Sequence, residues 1–259
     1  MNGMSLPLRR TELNRETPFF FSCRQCLSCC SNKKIQVNPY EIARLAANRG
    51  LSTADFVARY THDGGTLLNW EEDGTCVFLD AQGCSVHPDR PLVCRLYPLG
   101  RHVLLSGAES FSEIEPDQEC KGAYGVDGRI VDYLNSQDAH PFMEAADRYL
   151  NLFWRLYQVL ERQAVEANKQ DAIVNVFQKF ATDDGAGDLG LIDVDAIVAS
   201  YCNKAGIPFP KDIDEKISIH IQAVEAWANH SRRIEKHETK KGRPIATTNS
   251  GKKPHKTGD

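Results

Sequence analysis

No run in this 259-residue sequence approaches the ~18 consecutive apolar residues that cross a bilayer. The longest candidate is broken by Arg155, so no membrane span is expected. A Walker phosphate loop, a GxSxG nucleophile elbow and a His-Glu-x-x-His zinc helix are all missing. The run Asp183-Asp184-Gly185-Ala186-Gly187-Asp188 lacks the alternating acids and terminal Glu of an EF-hand, and reads as an acidic turn. There is no internal repeat. The N-terminal MNGMSLPLRRTELNRET has no uninterrupted apolar stretch behind its charges, so no secretory signal is expected and the compartment reads as the reducing cytoplasm. A strong net charge is missing too: the formal value is −4, but residues 230–259 carry nine Lys/Arg against three Asp/Glu, leaving 22 against 32 in residues 1–229. An acidic body offers no clustered positive charge to phosphates, so any nucleic acid contact is weak and falls to the tail.

What the sequence does hold is cysteine. Of nine, eight fall in the first 120 positions: Cys23, Cys26, Cys29, Cys30, Cys76, Cys84, Cys94 and Cys120. In a reducing compartment such a cluster points to metal binding or redox chemistry rather than structural disulfides. Cys23-x-x-Cys26-x-x-Cys29-Cys30 puts four thiols in eight residues, and two-residue gaps let one turn of backbone aim successive sulfurs at a common centre. Thiolates are soft ligands suited to zinc, iron–sulfur clusters and copper(I), whereas magnesium and calcium need oxygen. The adjacent pair complicates a single ion. The Cα atoms of Cys29 and Cys30 lie about 3.8 Å apart, and in extended chain their side chains point to opposite sides. Two metals, or a structural or redox role for Cys30, explain the pair better. Eight cysteines equal two Cys₄ zinc sites, or one four-ligand cluster with spares. The triple spacing also resembles the start of a bacterial ferredoxin run, though its fourth cysteine and following proline are absent here. Cys202, alone in the second half, reads as a buried small hydrophobe.

The CxxCxxCC run, the later Gly83-Cys84, the block Arg90-Pro91-x-x-Cys94-Arg95-x-Tyr97-Pro98 and the closing Cys120-x-Gly122 together resemble the YkgJ-type cysteine-cluster family, over about residues 19–128. That resemblance implies chelation of zinc or iron by these eight cysteines, with an iron–sulfur role suggested by the family's naming and no settled activity. A similar cluster occurs in flagellin lysine methylases, but no glycine-rich cofactor loop here supports methyl transfer. Near the thiols, His87 is a candidate nitrogen ligand or a surface histidine. Arg90 and Arg95 either offset thiolate charge or are ordinary surface arginines, and Tyr97 reads first as a buried structural tyrosine, with packing over the site or donation of its hydroxyl as the alternatives.

The expected fold class is α+β: a small, irregular cysteine-rich metal-binding domain over residues 19–128, a mostly helical domain over residues 129–238, and a disordered basic tail over residues 239–259. Asn38-Pro39-Tyr40-Glu41 predicts a capped helix that stops at Gly50, and a second helix starts at Ser52 with Phe56, Val57 and Tyr60 on one side. Short strands are expected around residues 67–70, 76–79 and 102–105, and a helical turn from Pro91 carries Cys94. Beyond Gly128 the apolar period becomes helical. Phe142, Ala145, Ala146, Tyr149, Leu152, Phe153, Leu156, Val159 and Leu160 mark a long helix, with further helices on Ile173, Val176, Phe177 and Phe180, on Ile197, Val198 and Tyr201, and on Ile213, Ile217, Ile221, Val224 and Trp227. These stripes read as core. Lys240-Lys241-Gly242-Arg243-Pro244 and the polar residues after it have no apolar period to offset ordering entropy.

Three functions fit. One is a module chelating zinc or iron, structural or in metal handling, whose helical domain binds a protein partner or completes the fold. Another is an iron–sulfur oxidoreductase or cofactor-maturation enzyme. The third is a thiol redox switch that expels metal and releases a partner.

Overall fold

The structure, a computed structural model, describes residues 8–24, 26–164 and 187–241. It is α+β as expected, with small antiparallel sheets toward the N-terminus and helices behind them. Strands β1 (Leu8–Leu13) and β2 (Pro18–Ser22) lead into the cysteine run. Helix α1 (Pro39–Arg49) begins as its sequence dictates: the Asn38 side chain accepts the Glu41 N–H at 3.1 Å and the Glu41 carboxylate accepts the Asn38 N–H at 2.9 Å. Gly50, at φ +64°, ends the helix in the left-handed region. Ser52 caps α2 (Thr53–Tyr60) by accepting the Asp55 N–H.

Two-residue ladders follow, β3 (Thr61–His62) with β4 (Leu67–Leu68) and β5 (Leu79–Asp80) with β6 (Gly83–Cys84). Trp70 bridges to Cys76. Helix α3 (Leu92–Leu96) is the turn expected from Pro91, and β7 (Leu99–Val103) pairs with β8 (Glu109–Ile114), which pairs in turn with β1. The strand expected at 102–105 therefore lies further upstream: Leu104 and Leu105 are exposed in the turn between β7 and β8, where Gly107 takes φ +82°. Strand β9 (Ala123–Arg129) pairs with β2, and α4 (Ile130–Ser136) follows directly.

The long helix is α5 (His140–Ala164), and α6 (Val194–Ala205) and α7 (Ile213–Lys241) carry the later stripes. Tyr149, Leu152 and Leu156 of α5 meet Ile197, Val198, Ile217, Ile221 and Val224 in one core, where Cys202 is 3% exposed as its small apolar role requires. Phe153, expected in that core, is 39% exposed. It follows Leu152 and so lies about 100° round the helix from the buried stripe. The helix expected on Ile173, Val176, Phe177 and Phe180 lies outside the described residues, as do most of the acidic turn and the tail from 242 onward.

Helix α1 joins two cores, because its 3.6-residue period gives it two buried faces. Tyr40 and Ala43 pack into the α5–α6–α7 core, while Ile42, Leu45 and Ala46 pack with Phe56, Val57, Leu68, Phe78 and Val86. A third core gathers Phe19, Phe21, Leu96, Leu99, Phe111, Ile130 and Tyr133 around β2, the three-stranded sheet and α4. Among the described residues, no helix is long and apolar enough to cross a membrane.

Candidate metal centre

The backbone sorts the thiols into two neighbourhoods. Strand β2 ends with Ser22 opposite Ala123, so Cys23 leaves the sheet where residues 120–122 enter it. On that side the Cys26 Sγ accepts the Lys121 N–H at 3.4 Å, and the Cys120 Sγ lies 3.5 Å from the Tyr124 hydroxyl. Gly122 permits the approach, since a Cβ there would stand 2.3 Å from the Phe21 ring. Cys120 packs on the third core, with Tyr97 and Tyr124.

Past Leu27, held at φ +68°, a 3₁₀ turn over Ser28–Cys30 carries the chain to the other side. There the Cys30 carbonyl accepts the Cys76 N–H at 2.8 Å, Ser31 bridges to Thr75, and Asn32 N–H bonds to the Gly74 carbonyl at 2.8 Å. Cys84 faces Leu79 across the β5–β6 ladder, and both Cys76 and Cys84 pack on the α1–α2 core. Cys94 comes in on α3. That helix is tied to α1 by Glu41, whose second carboxylate oxygen accepts the Leu92 N–H at 2.7 Å. The adjacent pair is not in extended chain but in a 3₁₀ turn.

Electrostatics follow this arrangement. A hydrogen bond from Cys30 lowers the Cys29 thiol to about 7 against the cost of burial, and Cys30 itself is pushed far up by that bond and by burial. Bonds from Ser28 and the Lys121 N–H lower Cys26 to about 7. Cys76, Cys84 and Cys94 are raised, first by burial and then by neighbouring thiolates. Every pair among Cys29, Cys76, Cys84 and Cys94 interacts in this way. Tyr97 packs on the same core as Cys120 and is pushed up to about 12 by burial, with the charges of Cys120, Asp117 and Cys29 adding to it. Its hydroxyl and the Asp117 Oδ2 are buried without a hydrogen-bond partner of normal geometry, while the other Asp117 oxygen pairs with Lys33 at 3.1 Å.

Among the described residues, no three His, Cys, Asp or Glu side chains stand close enough to form a ready-made metal site. The donor chemistry nevertheless fits a soft cation. Crowded thiolates that raise one another's pKa, beside a buried phenol and a carboxylate oxygen left unpaired, are groups that a positive ion stabilises.

Of the neighbours singled out in the sequence, His87 is exposed, its imidazole held below the ordinary value by partial desolvation and by the charges of Arg90 and Arg95; Arg90 Nη1 lies 3.4 Å from its Nδ1. Arg95 is neither a surface arginine nor a direct partner of the thiols. It is 3% exposed and donates to the carbonyls of Pro88, Arg90 and Gln137. Asp117 and Lys33 escaped the sequence reading, which used Glu41 as a helix-capping residue but not as the link to α3. For Asp117 the available signal was its place three residues before Cys120, whose N–H bonds to its carbonyl at 2.8 Å.

Glu41 yields a pH prediction. Burial pushes its carboxyl up to about 7, against two N–H donors and Arg95. Between about pH 4.5 and pH 7 the folded chain keeps a proton that the unfolded chain releases, so this residue's contribution to stability falls as pH rises through that window. The full shift corresponds to roughly 3 kcal/mol. Glu41→Gln should therefore gain about 2 kcal/mol of that relative to the parent between pH 5 and pH 7 in urea unfolding. An equal difference at both pH values would mean that Glu41 ionises normally.

Residues 22–121 match the family model CxxCxxCC, described as "Putative zinc- or iron-chelating domain". The chain is also similar to an uncharacterized protein of Methanocaldococcus jannaschii, 27% identical over 116 residues that make up 43% of this chain. Those residues span 63% of that protein, less than two thirds of its length. No solved structure matches. All eight clustered cysteines lie inside the matched stretch, so the similarity to the CxxCxxCC zinc- or iron-chelating domain covers the whole cluster.

Proposed function

We propose that this chain is a metal-binding protein of the reducing cytoplasm, in which Cys23, Cys26, Cys29, Cys30, Cys76, Cys84, Cys94 and Cys120 supply thiolates to zinc or iron. One observation carries the reading: the fold brings the Cys23–Cys30 run against two distant cysteine segments, the Cys30 carbonyl accepting the Cys76 N–H at 2.8 Å and the Cys26 Sγ accepting the N–H of Lys121, next to Cys120, at 3.4 Å. Like charges gathered from so far apart in sequence cost folding energy unless a cation offsets them. A bound zinc ion would supply a tetrahedral cross-link, and iron would add redox chemistry. The chain's own residues align the ligands: Glu41 holds α3 against α1, the Cys30 carbonyl fixes Cys76, and the Lys121 N–H orients the Cys26 sulfur. The helices from residue 129 onward complete the fold through α1.

The test is metal analysis with a visible spectrum, on protein purified without oxygen and without a histidine tag. Colourless protein with bound zinc supports a structural or metal-handling module; iron with acid-labile sulfide makes electron transfer the leading chemistry. Protein that takes up neither metal refutes the reading. Cys26→Ser and Cys29→Ser should each lower bound metal stoichiometrically, while Cys202→Ser, inside the helical core, should leave it unchanged. Full metal in both cluster variants would remove them from the ligand set.

A further inference from the structure

Gathered thiolates need their charge offset, and Arg95 does not touch them, because it spends its donors on the carbonyls of Pro88, Arg90 and Gln137. Two of the sulfurs instead meet neutral hydroxyls. The Cys26 Sγ, which accepts the Lys121 N–H, also lies 3.4 Å from the Ser28 Oγ, and the Cys120 Sγ lies 3.5 Å from the Tyr124 hydroxyl. Both contacts are local, two and four residues apart in the chain, so each survives small adjustments of the loops around it.

The positions of both hydroxyls are set by their own surroundings. Leu27, at φ +68°, turns the chain so that Ser28 opens the 3₁₀ turn, where the Leu27 carbonyl accepts the Cys30 N–H at 2.8 Å. Tyr124 stands opposite Phe21 in the β2–β9 ladder, their ring centroids 4.8 Å apart. The turn uses only the backbone of Ser28 and the packing uses only the ring of Tyr124, which leaves the two hydroxyls to be explained. A hydroxyl and a thiol can each donate to the other, but a cysteine that binds metal has lost its proton. On a thiolate the direction is fixed: the hydroxyls donate and the sulfurs accept.

We propose that Ser28 and Tyr124 are positioning residues of the metal centre, which act through Cys26 and Cys120 by donating hydrogen bonds to their thiolate sulfurs. This rests on the metal-binding reading above and adds to it two residues that are not ligands. A donor on a thiolate draws charge from the sulfur, lowers its reactivity towards electrophiles and holds it in one orientation for the metal.

The test loads the full-length, reduced chain under nitrogen with zinc, or with iron(II) if zinc is not taken up, and follows alkylation by iodoacetamide at each cysteine by peptide mass spectrometry. Tyr124→Phe should bind the parent's amount of metal, while Cys120 is alkylated about three- to tenfold faster, as loss of one hydrogen bond to a charged sulfur predicts. Cys26 should keep its rate. Ser28→Ala should show the reverse, with Cys26 faster and Cys120 unchanged, and Ser28→Thr, which keeps the hydroxyl, should return Cys26 to the parent rate. General loosening of the fold would raise both rates together instead of one in each variant. Parent rates in both variants, or both cysteines accelerated together in either, overturn the donor assignment and leave metal binding intact. A parent chain that takes up neither metal overturns the assignment together with the reading beneath it.

Discussion

Stripping the metal with a chelator, under reducing and oxygen-free conditions, is expected to unfold the cysteine region and loosen the helical half with it. Structural thiolate sites contribute on the order of 10 kcal/mol of binding free energy, comparable with the whole stability of an ordinary domain. Between α2 and α3 the chain is anchored by the buried Leu68, Phe78 and Val86 but has no regular element longer than three residues. The backbone there is held by two-residue ladders and 3₁₀ turns, and the gathered thiols repel one another once ionised. The effect should not stop at that region, because α1 gives Ile42, Leu45 and Ala46 to the core beneath Cys76 and Cys84, and Tyr40 and Ala43 to the core of α5, α6 and α7. Thermal unfolding followed by circular dichroism should therefore drop as one transition by tens of degrees, with new protease cuts inside residues 22–121, and zinc should restore both. A chelated chain that keeps its melting point would show that the thiols do not hold the fold together.

The helices were legible because their signals are local. Asn38, Pro39, Glu41 and Gly50 state where α1 begins and ends, and the stripe from Phe142 to Leu156 states which face of α5 is buried. Six strands were not legible: β3 and β6 are only two residues long, and each of the other four hides for its own reason. In β2 the buried Phe19 and Phe21 flank the exposed Phe20, so alternation by burial is invisible as alternation by residue type. In β8 the buried positions include Ser112 and Glu113; Glu113 takes its partners from Arg9 and Arg10 on β1, a pairing about a hundred residues distant that no window reveals. Strand β9 contains two glycines, and β1 shows an almost wholly exposed pattern, so neither carries the apolar period that marks a strand. The site divides in the same way. The eight thiols could be named from their spacing, but the approach of the Cys29-Cys30 pair to Cys76, and of Cys26 to the segment of Cys120, depends on the Cys30–Cys76 bond and on the β2–β9 register. Both are long-range.

Arg95 gives the other large effect. Its guanidinium sits 3.9 Å from the centre of the Phe142 ring and donates to three backbone carbonyls, joining the turn before α3 to the end of α4. Tyr133 reinforces the joint by donating to the carbonyls of Arg95 and Tyr97 at 3.3 and 2.6 Å. Burial lowers the Arg95 pKa to about 10, helped by Arg90 and Arg44, which leaves it charged at neutral pH. Arg95→Met keeps the bulk over Phe142 but removes every donor. Each buried carbonyl left unsatisfied costs about 1–3 kcal/mol, and with partial relaxation the loss should be about 3–5 kcal/mol. At 2–4 °C per kcal/mol for a chain of this size, the melting point should fall by roughly 10–15 °C. The conservative variant separates the two roles open to this residue. If Arg95 served only to neutralise the thiolates, Arg95→Lys would restore nearly everything, since the charge is kept. As a clamp that needs a planar fork reaching carbonyls in different directions, it should be replaced poorly by a single ammonium, and Arg95→Lys should remain at least half as destabilised as Arg95→Met. Metal stoichiometry should stay at the parent value in both variants, with faster loss of metal to a chelator because α3 no longer holds Cys94 rigidly. A lysine variant with the parent's melting point would assign Arg95 to the charge of the metal centre instead.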